Sequence, residues 1–372
     1  MRSDLKIALV HDWLTGMRGG EKVLEVLCEL YPRAPLFTLV HNPGSVSPVI
    51  EARKIRTSFI DRLPLKAKRY RNYLPLFPKA IEEFDFSEYD LILSTSHAVA
   101  KGARPRSDAI HICYCHTPMR YVWELYDQYF GPGGANLLTR AAMSYVAPRL
   151  RSWDVTSSSR VQAFVANSNN VAERIRRYYD RSAEVIYPPV NTAQFTASEN
   201  DDGYYLIVSA LVPYKRVDLA VEAFNRTGDR LLVVGTGPEM NRLKSASAKN
   251  IEFLGWQSDS ELPKLYARCR ALIFPGIEDF GIVPLEAMAS GKPVVAFAMG
   301  GALETVVDDP RSATGVFFQH QTPEALIDAL TRLRHLKLDP HAIRAHAERF
   351  DRAIFKENYR RYVEQVLDDS HS

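Results

Sequence analysis

Long apolar runs are absent from this 372-residue sequence. The stretch from Tyr204 to Val212 is among the longest, whereas a membrane-spanning helix needs about 18 apolar residues in succession. The first residues, Met-Arg-Ser-Asp-Leu-Lys, lead into a strand pattern without the apolar segment of a secretory signal peptide. These absences predict a cytoplasmic protein.

Cysteine is scarce as well, and so are metal-binding motifs. The four cysteines are too few for a disulfide framework in a chain of this length, and Cys113 and Cys115 lack the partners of a zinc site. We expect them to be reduced packing residues. No Asp-x-Asp motif occurs in the sequence. The acidic pairs fall in predicted loops or in the tail, where we expect them to be solvated; they are Asp201-Asp202, Asp308-Asp309 and Asp368-Asp369. The sequence therefore predicts neither a metal nor another cofactor.

Charge is nearly balanced overall, at +3, but it is unevenly distributed. Residues 1–190 contain 26 Lys and Arg against 19 Asp and Glu, whereas residues 191–372 contain 21 against 25. Most of the excess lies in 53–79, with nine basic residues and one acid, Asp61. Nucleic-acid binding explains this poorly, because the whole chain is not strongly basic and no known binding module appears. An anionic surface or an anionic acceptor fits better.

Strand-like and helix-like segments alternate along the chain, which predicts α/β layers with parallel sheets. The stiff Pro188-Pro189 marks a boundary, after which the alternation restarts. We predict two Rossmann-like domains, 1–187 and 188–345, and a C-terminal helix in 346–372 that packs back on the first domain. Ligands are expected at the carboxyl ends of the strands, facing an interdomain cleft.

The most informative segment runs from Glu278 to Glu286 and reads Glu-Asp-Phe-Gly-Ile-Val-Pro-Leu-Glu. It follows an apolar strand pattern and opens a helix, with Pro284 predicted at the first helical position. Gly281 permits close approach of a ligand to the backbone, and the free N–H groups of the helix start suit a diphosphate. Two carboxylates beside a phosphate need other partners, such as sugar and ribose hydroxyls. The alternative is a loop Glu followed by a first-turn Glu favoured by the helix dipole.

Three further motifs end strands of the second half. Lys215 follows the strand at 205–209 and is suited to neutralising a leaving diphosphate, unless it is a solvated loop residue. Gly235 begins a Gly-x-Gly-Pro turn, and Trp256 follows Gly255, either near a nucleotide base or in the core.

The first half has its own strand-end residues. Gly19 and Gly20 open a helix whose start can face a phosphate, although a simple tight turn is the alternative. His116 follows another strand and is either a sugar contact or a structural histidine. Other candidates at strand ends, for acceptor binding, are His11, Asp12 and Arg120.

Together these motifs resemble retaining glycosyltransferases of family 4, which have the GT-B fold. The resemblance covers nearly the whole chain, from His-Asp-Trp-Leu through Gly-Gly-Glu, Cys-His-Thr-Pro and Val-Pro-Tyr-Lys-Arg-Val-Asp to Glu-x7-Glu. It implies catalytic roles for His116, Glu278 and Lys215. The donor-binding residues that it implies are Gly19, Gly20, Arg216, Gly235, Trp256, Phe280, Gly281, Ile282 and Glu286. The family's usual Arg before the Lys is replaced by Ala210, so Lys215 would be the main cation and Arg216 a doubtful substitute.

Within the family, the chain looks most like GDP-mannose-dependent α-mannosyltransferases of bacterial surface-polysaccharide synthesis, such as that of O-antigen. The resemblance implies transfer of mannose, with retained configuration, to a lipid-linked or saccharide acceptor. A UDP-sugar donor, a sugar-nucleotide epimerase and a non-catalytic nucleotide-sugar-binding protein are the alternatives. A lipid-linked acceptor would place the protein on the inner face of the membrane. There the basic and aromatic residues of 53–79 would contact lipid, unless the aromatics pack into the first domain.

Overall fold

The computed structural model describes residues 5–131 and 135–370, except for the side chain of Lys68. The chain divides into two compact units. The first unit contains the described residues up to Pro189 and those from Phe355 onward, and the second unit is Val190–Ile354.

The first unit is built on a parallel sheet of seven strands in the order β3-β2-β1-β4-β5-β6-β7. The central strands are buried along nearly their whole length, which explains their near-continuous apolar sequences. The strands are β1 (Ile7–His11), β2 (Leu36–Thr38), β3 (Ile55–Thr57), β4 (Leu91–Ser96), β5 (Ile110–Cys115), β6 (Ala163–Ala166) and β7 (Glu184–Val185).

Helices cover both faces of this sheet. They are α1 (Gly19–Leu30), α2 (Pro48–Glu51), α3 (Lys66–Arg69), α4 (Phe77–Glu82), α5 (Tyr126–Phe130), α6 (Leu137–Ser158) and α7 (Asn169–Tyr179). Helix α15 (Arg352–Asp369) joins the face that carries α1, where Phe355, Tyr359 and Val363 enter the core. The opposite core contains Val10 and Ile92 of the sheet.

The second unit repeats this architecture with six parallel strands in the order β10-β9-β8-β11-β12-β13. The strands are β8 (Tyr204–Val208), β9 (Arg230–Val234), β10 (Ile251–Gly255), β11 (Ala271–Phe274), β12 (Val294–Phe297) and β13 (Gly315–Phe318). The helices are α8 (Val217–Thr227), α9 (Met240–Ala246), α10 (Leu262–Arg268), α11 (Ile282–Ala289), α12 (Ala302–Thr305), α13 (Pro323–His335) and α14 (Pro340–Glu348).

The two sheets share one connectivity, which fixes where ligands bind. In each sheet the chain starts at a central strand, builds outward to one edge, and then returns to build the other side. The reversal falls between β1 and β4 in the first unit and between β8 and β11 in the second. In such sheets ligands bind outside the carboxyl ends of the strands at this point of reversal.

Several boundaries differ from those predicted from the sequence. Helix α11 begins at Ile282 with Gly281 as its N-cap, so Pro284 is its third residue and not its first. The missing N–H of Pro284 is still harmless there, because the first turn has no acceptors within the helix. The sequence also predicts a helix over 259–268, and in the structure that helix, α10, begins at Leu262. The long helix α6 was not predicted, since its outer face carries apolar side chains that obscure the helical periodicity.

Candidate functional site

Lys215 lies at the point of reversal in the second unit, at the end of a short 3₁₀ turn after β8. Its Nζ forms an ion pair with Oε1 of Glu278, which follows β11, and both side chains are largely buried. The two loops pack closely, because a Cβ added at Gly276 would lie 2.8 Å from the Lys215 Cα. The structure thus brings together two of the three residues predicted to be catalytic.

Arg216 points to a different set of partners. It has a left-handed backbone conformation, and its guanidinium donates to Asp218 and to the Gln321 side chain, each at 3.3 Å. Gln321 in turn donates to the Pro275 carbonyl at 2.9 Å. Arg216 therefore ties together the loops after β8, β11 and β13, and Lys215 is the cation that faces Glu278.

The loop containing Glu278 is held by two glycines after β12. Gly301 N–H donates to the Glu278 carbonyl at 2.9 Å, and a Cβ at Gly301 would lie 2.2 Å from the Phe280 Cα. Gly300 has a positive φ of 69°, and a Cβ there would lie 2.5 Å from the Glu278 carbonyl. Only glycine fits at these positions, so the pair fixes the path of the loop.

Glu286 lies in the second turn of α11 and is buried. The Tyr266 hydroxyl donates to its Oε2 at 2.9 Å. Burial raises the Tyr266 pKa, and the charge of Glu286 raises it further, so the phenol stays protonated and remains a donor.

Helix α11 has no side-chain hydrogen bond at its N-cap, Gly281, where φ is 91°, and Ile282 is the first helical residue. Its N-terminal N–H groups can therefore bind an anion.

The Gly-x-Gly turn after β9 is a packing feature. A Cβ at Gly235 would lie 1.9 Å from the Ser209 carbonyl, and one at Gly237 would lie 2.2 Å from the Leu211 carbonyl. Both glycines let the turn approach the loop that leads to Lys215. Trp256, beyond β10, is 74% exposed, so the alternative that it belongs to the core is wrong.

Asp12, at the end of β1 in the first unit, is committed to the backbone. Its Oδ2 accepts from the N–H groups of His97 and Ala98 at 2.7 and 3.0 Å, and its Oδ1 accepts from those of Val99 and Ala100 at 2.6 and 2.7 Å. The carboxylate is fully buried. We predicted that Asp12 contacts the acceptor, but both oxygens are occupied, so the structure assigns it to holding the loop after β4.

Three histidines gather beside this loop. The ring centroids of His11 and His97 are 5.9 Å apart, and those of His97 and His116 are 6.3 Å apart. Nδ1 of His11 lies 2.5 Å from the Thr95 hydroxyl. The Nε2 atoms of His11 and His116 are buried and have no hydrogen-bond partner among the described residues.

The start of α1 closes over these rings. A Cβ added at Gly20 would lie 3.5 Å from Nε2 of His116 and 3.6 Å from Cε1 of His11. Glu21 accepts from the Arg18 N–H at 3.0 Å, and its Oε1 lies 3.7 Å from Nε2 of His11. The helix start that contains Gly19 and Gly20 is therefore adjacent to His116, so these residues can belong to one site in the first unit.

His97 and His116 differ from ordinary histidines in their ionisation. Burial lowers the pKa of His116 well below its usual value, and the charges of His97 and His11 act in the same direction. Arg120, half-buried beyond β5, lowers the pKa values of His116 and His97 further. His116 is consequently neutral near pH 7, and it can offer a hydrogen bond but not a positive charge.

The basic segment 53–79 buries three of the side chains that were predicted as its apolar anchors. Tyr70, Leu74 and Phe77 are buried in the core of the first unit, so that part of the prediction is wrong. Lys66 forms an ion pair with Asp61 at 2.5 Å. The side chain of Lys68 is outside the described part of the structure. Exposed residues of the segment include Arg62, Leu65, Arg69, Arg71 and Leu76.

Sequence reasoning missed His97, Gly276 and the pair Gly300-Gly301. The strand-end rule that selected His11 and His116 could have found His97, because it follows β4 in the same way. Gly276, Gly300 and Gly301 also follow strands. The sequence does not reveal their role, because the residues they pack against are distant in the chain.

Within residues 5–131 and 135–370, no group of three or more His, Cys, Asp or Glu side chains could hold a metal ion. Over the same residues, no helix combines the length and apolar character needed to cross a membrane. All four cysteines are free thiols buried in the structure.

Two family models match the chain in succession and follow its two units. The model described as Glycosyltransferase Family 4 matches residues 17–194, and the one described as Glycosyl transferases group 1 matches residues 191–350. Together the two models match residues 17–350, so both units of the chain resemble glycosyltransferase domains. The GT-B fold is confirmed by a solved structure, that of Anabaena HepE in complex with UDP and glucose, at 18% identity. Its TM-score is 0.70, covering 97% of this chain and 99% of that one.

The relatives that this chain resembles include two mannosyltransferases. An O-antigen chain mannosyltransferase of Salmonella typhimurium is 28% identical over 48% of this chain and 56% of its own length. A GDP-mannose-dependent alpha-(1-6)-phosphatidylinositol monomannoside mannosyltransferase of Mycobacterium tuberculosis is 32% identical over 34% of this chain and 37% of its own length. The chain spans from about two fifths to just over half of the length of the first curated relatives it matches.

Proposed function

We propose that this protein transfers a sugar from a nucleoside-diphosphate sugar to an acceptor hydroxyl. The observation that carries the proposal is the arrangement at the point of reversal in the second unit. There a cation, Lys215, contacts Glu278, and the loop after Glu278 leads into the start of α11 and then to the buried Glu286. Lys215 and the start of α11 suit the negative charge of a diphosphate. The carboxylates of Glu278 and Glu286 suit sugar and ribose hydroxyls.

We propose that configuration is retained through displacement on one face of the sugar. The bond from the anomeric carbon to the diphosphate oxygen breaks, and a bond to the acceptor oxygen forms on the same face. The acceptor proton passes to the departing diphosphate oxygen. Lys215 stabilises the charge that develops there, and Glu278 orients the sugar. His116 of the first unit is neutral, and its Nε2, which has no hydrogen-bond partner among the described residues, can bond to a sugar hydroxyl.

Positive charge for the leaving group comes, in this proposal, from Lys215 and the helix start, without a divalent metal. Activity is therefore expected to persist in the presence of EDTA. Loss of activity with EDTA, restored by Mg²⁺ or Mn²⁺, would contradict this part of the proposal.

GDP-mannose is the donor that we propose, and a lipid-linked or saccharide acceptor of surface-polysaccharide synthesis is the partner. The two mannosyltransferase relatives support this choice, one by its O-antigen acceptor and the other by its GDP-mannose donor. The HepE complex with UDP supports the alternative, a UDP-sugar donor on the same fold. Thermal shifts with GDP, UDP and their sugars separate these, because a bound ligand raises the melting temperature.

Glycosyl transfer and epimerisation are distinguished by the acceptor. Incubated with GDP-mannose alone, a transferase releases at most a little GDP by hydrolysis, whereas an epimerase converts the nucleotide sugar. Adding a lipid-linked or saccharide acceptor is expected to release GDP and to extend the acceptor by one α-linked mannose. Conversion without acceptor, or binding with no turnover under either condition, would contradict the proposal.

The roles of the two glutamates are separable by variants. Glu286→Ala is expected to weaken GDP binding, whereas Glu278→Ala is expected mainly to lower kcat. Tyr266→Phe removes one hydrogen bond to Glu286 and should cost about 0.5–1.5 kcal/mol of nucleotide affinity. Glu304→Ala, on α12, is a control outside the α11 site and should leave both quantities unchanged.

A further inference from the structure

The outer face of α6 in the first unit carries apolar side chains toward solvent. Leu137 and Leu138 at its N-terminus are 78% and 84% exposed, and Tyr145 two turns later is 65% exposed. Ala141 and Ala142 between them are also exposed. The inner face is conventional, with Met143, Ala147 and Leu150 in the core, so the exposed leucines are not needed to hold the helix in place.

The charges on this helix have one sign over most of its length. From Leu137 to Trp153 it contains Arg140, Arg149 and Arg151 and no acidic residue. The Arg149 guanidinium lies 3.5 Å from the Tyr145 ring centroid, so a cation and an aromatic ring share the outer face. The first acid, Asp154, is buried and paired with Lys101 at 3.0 Å.

The exposed basic residues of segment 53–79 lie on the same side of the first unit's sheet as α6. Tyr70 and Leu74 share one core cluster with Met143 and Leu150 of α6. Segment 53–79 and α6 therefore pack on the same core, on one side of the sheet. Arg62, Arg69 and Arg71 are exposed there, as is Leu65.

We propose that the N-terminal half of α6, with Leu137, Leu138 and Tyr145, inserts into an anionic lipid surface. Leucines supply buried apolar area, tyrosine and arginine suit the headgroup region, and the lack of acids on this stretch avoids repulsion from anionic lipid. This inference rests on the proposed function, because a lipid-linked acceptor has to be reached at a membrane surface. It relocates the apolar contact from 53–79, whose aromatic anchors are buried, to α6.

Vesicle binding of the whole protein tests the proposal. We expect co-sedimentation with phosphatidylcholine vesicles containing phosphatidylglycerol, and less with phosphatidylcholine alone. The double variant Leu137→Ser with Leu138→Ser should lower the partition coefficient about tenfold or more, because two leucines no longer leave water. Leu303→Ser is the matched control, since Leu303 is an exposed leucine on α12 of the second unit. It should bind like the wild type.

Insertion itself is measured at position 138. Because the four native cysteines are buried, a polarity-sensitive fluorophore on a Leu138→Cys variant reports that position. Its emission should shift to the blue with anionic vesicles, whereas the same label on Leu303→Cys should not shift. No blue shift at 138, no vesicle binding by the wild type, or equal binding by the double variant overturns the proposal.

Two other occupants of this face are outcomes of the same experiments. If the wild type is a dimer in solution and the double variant a monomer, a second copy covers the leucines and the lipid proposal is wrong. If an acidic protein partner requires Leu137 and Leu138 while vesicles do not bind, it is also wrong. Calorimetry of nucleotide binding without vesicles tests the proposed function independently. If no nucleotide binds, glycosyl transfer is contradicted, whereas the vesicle result still stands.

Discussion

The two units have the same strand order and place their polar residues at the same point of reversal, yet the chemistry there differs. In the first unit the point is occupied by histidine rings, of which His97 and His116 are neutral near pH 7, and by a carboxylate, Asp12, whose oxygens already accept four N–H groups. In the second unit a partly exposed cation, Lys215, contacts a carboxylate, Glu278. The fold thus determines the position of a site, and individual side chains determine whether it supplies hydrogen bonds or charge.

If charge is the contribution of the second unit, Lys215→Ala should have the largest effect on catalysis. We expect kcat/KM to fall by about 30- to 1000-fold, which corresponds to about 2–4 kcal/mol of transition-state stabilisation. Lys264→Ala is the control, because Lys264 is an exposed lysine that pairs with Glu261 on α10. Turnover of Lys215→Ala close to that of the wild type would mean that another group neutralises the diphosphate.

If Asp12 is structural, the first unit should respond in stability. Asp12→Asn replaces one acceptor oxygen with a donor that faces backbone N–H groups, and we expect it to lower the free energy of unfolding by about 3 kcal/mol. Urea denaturation measures this quantity. Asp309→Asn, at an exposed carboxylate that accepts from the Arg311 N–H, should leave the midpoint unchanged. An unchanged midpoint for Asp12→Asn as well would refute the structural role.

The histidines should make the first unit acid-sensitive. His111 is a fully buried residue of β5. Burial lowers its pKa to about 3, so below about pH 6.5 the unfolded chain binds a proton that the folded chain does not. Stability therefore decreases as pH falls, by up to about 1.4 kcal/mol per pH unit for each such histidine. We expect His111→Gln to reduce this slope between pH 6.5 and 5, measured by urea denaturation. His320→Gln, at an exposed position, should retain the wild-type slope.

The smallest expected effect concerns Trp256. Its exposed ring can stack on a nucleotide base, so GDP should quench its fluorescence, whereas Trp13 is buried and should report little. Trp256→Leu should abolish the quenching and weaken GDP binding by about 1 kcal/mol, the lower end for base–aromatic stacking. Quenching that survives in Trp256→Leu would place the base elsewhere.

Much of the architecture was predictable because buried parallel strands have near-continuous apolar sequences. The strands ending near His11, His116 and Lys215 stand out in this way, and the strand-end rule then selects those residues. The sequence also predicts a helix over 323–335, which are the bounds of α13, since Thr322 caps it and its apolar spacing is regular.

What could not be predicted depends on neighbours that are far apart in sequence. The packing of Gly276 against Lys215, and of Gly301 against Phe280, appears only when the loops of different strands meet. The same holds for Asp12, because its acceptor-like position at a strand end does not reveal the four N–H groups that surround it. Helix α6 was missed for a different reason, namely that leucines lie on both its inner and outer faces.

The contact between Lys215 and Glu278 has a consequence for thermodynamics. An incoming diphosphate does not meet a solvated ammonium but competes with a carboxylate that already holds it. Added salt weakens both the old pair and the new one, so the two screening effects partly cancel. Nucleotide affinity should therefore vary with ionic strength less steeply than the charge of a diphosphate implies. Glu278→Gln should steepen that dependence and, for the nucleotide without its sugar, tighten binding.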